Sequence, residues 1–162
     1  MLIKSIQNKK VLETLQSNKT HIAENTKVTN LIKPYETMRK YYGWKNTPVF
    51  GCLVGRYCEF YGAATDDTVI LTLNVPDEFV KLQVYYDWTD VIYYTEYTDE
   101  WECGSFNEFV TNVLNGVGTD DERAIIQVTM PFIKPEWLVS YEPITDEFID
   151  DHVGSGGSSI LE

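Results

Sequence analysis

A chain of 162 residues, 43% of them hydrophobic and regularly spaced, is long enough to bury one hydrophobic core and too short for two, and it lacks the composition of a disordered polypeptide. No apolar run nears the roughly 20 residues that cross a bilayer, and the polar start MLIKSIQNKK has no signal-peptide apolar region, so a soluble, cytoplasmic protein is expected. The net charge of −12 is unevenly divided, with ten Lys/Arg against three Asp/Glu over residues 1–56 and three against twenty-two over residues 57–162, a field that repels nucleic acid and attracts basic macromolecules.

In chain order, Asn8 is placed to cap a short helix that presents Val11, Leu12 and Leu15 on one face and ends near Ser17–Asn18. A second helix is predicted where Leu31, Tyr35, Met38 and Tyr42 recur at helical spacing, with Pro34 in its first turn, Gly43 as its stop, and Arg39 and Lys40 on its more polar side. Lys4, Lys9, Lys10, Lys19 and Lys27 offer contacts to phosphate, yet a pI near 4.5 argues against general nucleic-acid binding. A match between the basic and acidic parts, within one chain or between two copies as a homo-oligomer, is the alternative use of these lysines.

Strand-like segments follow at Val49–Val54, Tyr57–Tyr61, Thr68–Val75 and Leu82–Tyr86. Cys52 and Cys58 lie an even number apart, which places both on one packed face of a strand. With Cys103 they make three cysteines without CxxC spacing, and only His21 and His152 offer nitrogen ligands. Three free thiols in a reducing compartment are therefore expected, and a zinc site is not.

From Tyr85 to Glu102 the chain reads YYDWTDVIYYTEYTDEWE, seven aromatics interleaved with six carboxylates and no positive charge. Aromatic anchors in an acidic field suit a basic protein surface, and the residues assigned to that surface are Asp87, Trp88, Asp90, Tyr94, Tyr97, Asp99, Glu100, Trp101 and Glu102. The competing reading puts the aromatics in the core and leaves the acids as a solvated face. Both hold together if alternating or helical spacing separates the two sets. The carboxylates match neither an EF-hand loop nor a carboxylate–histidine pattern, so no metal is expected.

Ser105-Phe-Asn-Glu108 is a capping-box sequence opening a helix whose inward residues are Phe106, Phe109, Val110, Val113 and Leu114, with Gly116 and Gly118 ending it. Asp120 and Asp121 have turn chemistry, which leaves Glu122, at the mouth of a strand, as the one carboxylate kept as a catalytic or ligand candidate. Ile125–Met130 and Leu138–Tyr141 read as strands around a Pro131/Pro135 connection. Helices and strands without βαβ alternation indicate an α+β fold, with a mixed or antiparallel sheet flanked by about three to four helices. The domain is placed at residues 1–153, and residues 154–162 are read as a flexible Gly/Ser tail. No nucleophile elbow, phosphate-binding loop, dinucleotide fingerprint or Cys–His pair is present.

The start Leu2-Ile-Lys-Ser-Ile-Gln7 with Val11-Leu12, then Pro34-Tyr-Glu-Thr-Met38, Thr47-Pro-Val-Phe50, Val75-Pro76 with Asp87-Trp88, and Ile126-Gln-Val with Ile133-Lys-Pro-Glu-Trp-Leu138, occur in that order over residues 2–144. In this the chain resembles a family of bacterial and phage domains of unknown function, a resemblance that carries no activity with it. More distantly, Glu122 before Ala124–Met130 is similar to ADP-ribosyltransferase-like folds, in which a Glu introduces a late strand followed by a proline-turned hairpin. That similarity implies NAD, held with help from a first-strand Arg or His and a mid-chain Ser or Tyr. Here Lys4 and Ser5 stand at the first of these places, and Tyr57 or Tyr61 at the second.

The expectation is a small acidic, non-enzymatic, phage-encoded protein without a cofactor. It binds and modulates or inhibits a host nucleic-acid enzyme or defence factor through the acidic-aromatic surface, without direct contact to nucleic acid or membrane. The alternative is an ADP-ribosyltransferase-like enzyme, or a degenerate NAD-binding relative, with Glu122 as its key carboxylate.

Overall fold

Alternating apolar residues need a surface to cover both faces of a strand row, and here two helical layers do so. The computed structural model describes residues 1–58, 65, 67–97, 104–147 and 159–160, of which 58, 96, 97, 159 and 160 are described by backbone alone. Among the described residues, β1 (Leu2–Asn8), β2 (Val49–Leu53), β4 (Thr68–Asn74), β5 (Lys81–Val84), β6 (Ile126–Met130) and β7 (Leu138–Pro143) form one antiparallel sheet in the order β5-β6-β2-β1-β4-β7. A two-residue pair, β3 (Tyr57–Cys58) with β8 (Ser159–Ile160), stands apart from it. The helices are α1 (Lys9–Gln16), α2 (Thr29–Tyr42), α3 (Tyr85–Tyr97) and α4 (Gly104–Leu114). The architecture is α+β, as the mixed pattern predicts.

β1 pairs with β4 along its whole length, from Leu2 opposite Asn74 to Asn8 opposite Thr68. Because side chains alternate, this register puts Ile3, Leu71 and Leu73 on one face with Val49, Val128 and Met130 from β2 and β6. α1 closes that face with Val11, Leu12 and Leu15, held at its start by Asn8, whose side chain accepts from the Lys10 amide at 3.0 Å. At Gly51 β2 approaches β1 too closely for a side chain, since a Cβ there would lie 2.8 Å from Ile3 Cγ2 and 2.9 Å from the Lys4 carbonyl.

On the opposite face α2, α3 and α4 cover the β5-β6-β2 side. Met38, Trp88, Val91, Phe106, Val110, Val113 and Leu114 form a second core, with Tyr35, Tyr42 and Phe50 packed against it. Beneath it lies a satisfied polar cluster. The buried Gln83 side chain donates to the Tyr42 hydroxyl at 2.7 Å and to Thr129 at 3.0 Å, and Tyr42 donates to the Leu114 carbonyl at 2.7 Å. Burial, countered in part by the bond from Gln83, pushes the Tyr42 hydroxyl up to about 12.

Several expectations change. Leu2–Asn8 is a central strand that the sequence pattern does not announce, because its inward Ser5 is fully buried and donates to the Phe50 carbonyl at 2.6 Å. The expected strand Leu82–Tyr86 stops at Val84, and Tyr85 begins α3. Pro34 lies in the interior of α2 and not in its first turn. Ser105 is the second residue of α4, which starts at Gly104. Ser159–Ile160, expected in a free tail, pair with β3. Cys52 is disulfide-bonded, so the expectation of three free thiols fails there and the cysteine count no longer argues for a reducing compartment. Cys103 and His152 lie outside the described residues, as does the side chain of Cys58.

Candidate protein-binding surface

α3 begins directly after β5, where the Tyr85 amide donates to the Ile125 carbonyl at 2.9 Å. From there the helical period sorts its residues. Trp88 and Val91, three apart, point inward and are 2% and 0% exposed. Tyr86, Asp90 and Tyr93, spaced four and three apart, share the opposite stripe, with Tyr86 54% and Tyr93 55% exposed. Tyr94 lies beside that stripe at 40% exposure, its ring centroid 5.9 Å from that of Tyr93 and 5.8 Å from that of Phe106, both pairs edge to face. Thr89 and Thr95 return their hydroxyls to the helix, donating to Tyr85 and Val91 carbonyls at 2.9 and 2.6 Å.

No Lys or Arg interrupts Tyr85–Tyr97. Asp87 is half-buried, and burial first, then the negative charge of Asp90, raises its carboxyl above the ordinary value.

Of the residues assigned from sequence to the partner surface, Asp87, Asp90 and Tyr94 come together on α3. Trp88 does not belong with them, because helical rotation turns it into the second core, where it serves as packing. Tyr97 ends the helix but its side chain is outside the description, and Asp99, Glu100, Trp101 and Glu102 lie outside the described residues. Tyr86 and Tyr93 were missed. The signal that finds them is the 3.6-residue period counted from Trp88, which places both opposite the buried rib.

Glu122 is exposed in a turn that precedes β6. Its neighbours are engaged: Arg56 donates to the Asp121 and Ala124 carbonyls at 2.7 and 3.2 Å, and Arg123 pairs with Asp121 at 3.3 Å. Hydrogen bonds from Arg123 hold the Asp121 carboxyl below its ordinary value. Glu122 lines neither of the clefts described, one between residues 25–26 and α2 and one between α2 and α3. Of the other positions drawn into the NAD alternative, Lys4 is ion-paired to Glu142 at 3.4 Å and Ser5 is buried in the sheet. Tyr57 is exposed, and Tyr61 lies outside the described residues. A site for NAD needs a concave pocket with the carboxylate facing it, and Glu122 stands exposed in its turn.

Among the described residues no helix is long and apolar enough to cross a membrane. Compared with known proteins, the chain matches no family model, no curated protein and no solved structure.

Proposed function

We propose that this protein works by binding another protein, whose basic surface docks on the outward face of α3. The observation that carries the reading is the stripe Tyr86, Asp90, Tyr93 with Tyr94 beside it, large aromatic rings exposed around a carboxylate on a helix with no cation. Exposed tyrosines grouped in this way are a feature of interface cores, where each supplies contact area and a hydroxyl at little entropy cost. The charge imbalance supports the same reading, because twenty-two acids against three bases beyond residue 56 draw a basic partner over several ångströms and speed its encounter. A nucleic-acid enzyme or a defence factor, whose own groove is basic, is the partner class we favour, with modulation or inhibition as the outcome.

The test is capture of partners from a host lysate on the immobilised protein, with wild type and a Tyr86→Ser/Tyr93→Ser variant side by side. The reading expects a discrete partner retained by wild type, weakened as salt shortens the reach of the field, and lost from the variant. Equal recovery on both proteins would remove it.

A further inference from the structure

A second feature lies along α2, on residues other than those of the tyrosine stripe. The segment before α2 is strapped to the body by two isolated bridges, His21 to Ile133 and Ala23 to Thr47. Between this strap and α2 runs a cleft of about 110 Å³ whose lining includes Asn25, Ile32, Tyr35, Glu36, Arg39 and Thr47. One wall is fixed, because the Tyr35 ring packs 5.2 Å from Phe50 and the Thr47 hydroxyl donates to Asn25 Oδ1 at 3.0 Å.

The lining holds more hydrogen-bonding capacity than the chain uses. Arg39 is half-buried, and its guanidinium makes one long bond, 3.4 Å to the Lys45 carbonyl, with no carboxylate within ion-pair distance among the described residues. The Asn25 side chain accepts from Thr47, and its amide hydrogens are unspent among the described residues. The Tyr35 hydroxyl, pushed up to about 12 by burial, stays a donor at any physiological pH. The opposite capacity is confined to Glu36, which lies three residues before Arg39 on the same helix. Cβ atoms three apart on a helix sit about 5–6 Å from each other, and both residues line the cleft without pairing with one another, so it offers a guanidinium and a carboxylate to an outside partner.

We propose that this cleft binds a small zwitterion of the α-amino-acid type. Its carboxylate meets Arg39, whose planar fork fits two oxygens, with Asn25 and Tyr35 donating beside it. Its ammonium meets Glu36, and Ile32 and the Tyr35 ring accommodate a short side chain. Charge selects the class: a simple anion meets repulsion from Glu36, and a simple cation meets repulsion from Arg39. The small volume suits a single residue.

The experiment is a thermal-shift screen of the intact protein with each of the twenty free amino acids, with acetate and methylammonium as single-charge controls. Hits are followed by NMR titration of the wild type. The proposal expects a melting temperature that climbs with the concentration of one or a few small amino acids, as mass action requires, and no such climb with either control. Shifted amide signals should map to Asn25, Tyr35 and Thr47. Arg39→Gln and Glu36→Gln should each weaken binding by about tenfold or more, the loss of one charge-assisted hydrogen bond. A flat response to all twenty amino acids, or binding of acetate equal to that of the amino acids, overturns the proposal. The wild-type titration decides it even if a variant folds poorly.

Discussion

α2 and α3 lie against each other on the same face of the sheet and bury their inner ribs in the same core, Met38 from one and Trp88 with Val91 from the other. They run antiparallel: Tyr42 at the end of α2 meets Gln83 just before α3, while Thr29, Asn30 and Lys33 at its start share a groove with Thr95 near the end of α3. What the core leaves outside differs. α2 exposes Ile32, Tyr41, whose hydroxyl is bonded to Asn115, and a charged set, Lys33, Glu36 and Lys40, while α3 exposes Tyr86, Asp90, Tyr93 and Tyr94. Solvation explains the charged set, since exposed helical surfaces are ordinarily charged. It does not account for three exposed tyrosines grouped on one helix without a cation, and on that grouping the proposed docking face rests.

The largest effect separates the two faces of α3 itself. Trp88→Ala should cost about 3–5 kcal/mol in urea unfolding, the range for deleting a large buried aromatic, whereas Tyr86→Ala and Tyr93→Ala should each stay within about 0.5 kcal/mol, as surface changes do. A small cost at Trp88 would break the division into inner and outer faces. Next comes the polar floor under both helices. Gln83→Leu leaves the Thr129 hydroxyl without its buried partner and removes the donor to Tyr42, an expected loss of about 1–3 kcal/mol, read by the same unfolding curves.

Much of this contrast was legible in the sequence, for a physical reason. Where burial follows a regular period, as at Val69, Leu71 and Leu73 on β4 or Phe106, Val110 and Val113 on α4, the apolar pattern announces the element. β1 was illegible because the sheet buries a serine at its centre and satisfies it from a neighbouring backbone carbonyl, a bond no one-dimensional pattern contains. The start of α3 was misread because Leu82 to Tyr86 suits a strand by composition, and the turn from β5 into the helix depends on the Tyr85 bond to Ile125, forty residues away. The acidic-aromatic character of the site was visible in the sequence. Which aromatic faces out was not, since that depends on how the helix is rotated against Met38 and Phe106.

A smaller prediction sharpens the electrostatic half of the contrast. The Asp87 carboxyl is raised in the folded protein, so the folded state holds this proton more tightly than the unfolded chain does, and ionising it costs stability as pH rises through its folded value. Asp87→Asn should therefore be slightly more stable than wild type at neutral pH, by less than about 0.5 kcal/mol for a partly exposed group. The gain should vanish below the ordinary value of 3.8, where the wild-type carboxyl is neutral in both states. Paired urea curves at neutral and acid pH read the sign.

The most direct test of the central claim is the association of the captured partner with wild type, with Asp90→Asn and with Tyr86→Ser/Tyr93→Ser, measured by surface-immobilised kinetics on proteins shown to share one unfolding curve. The account predicts slower association for Asp90→Asn, because a charge on the rim steers encounter, and faster dissociation for the tyrosine pair, because anchors hold the complex. Unchanged rates in both variants, with folding intact, would contradict it.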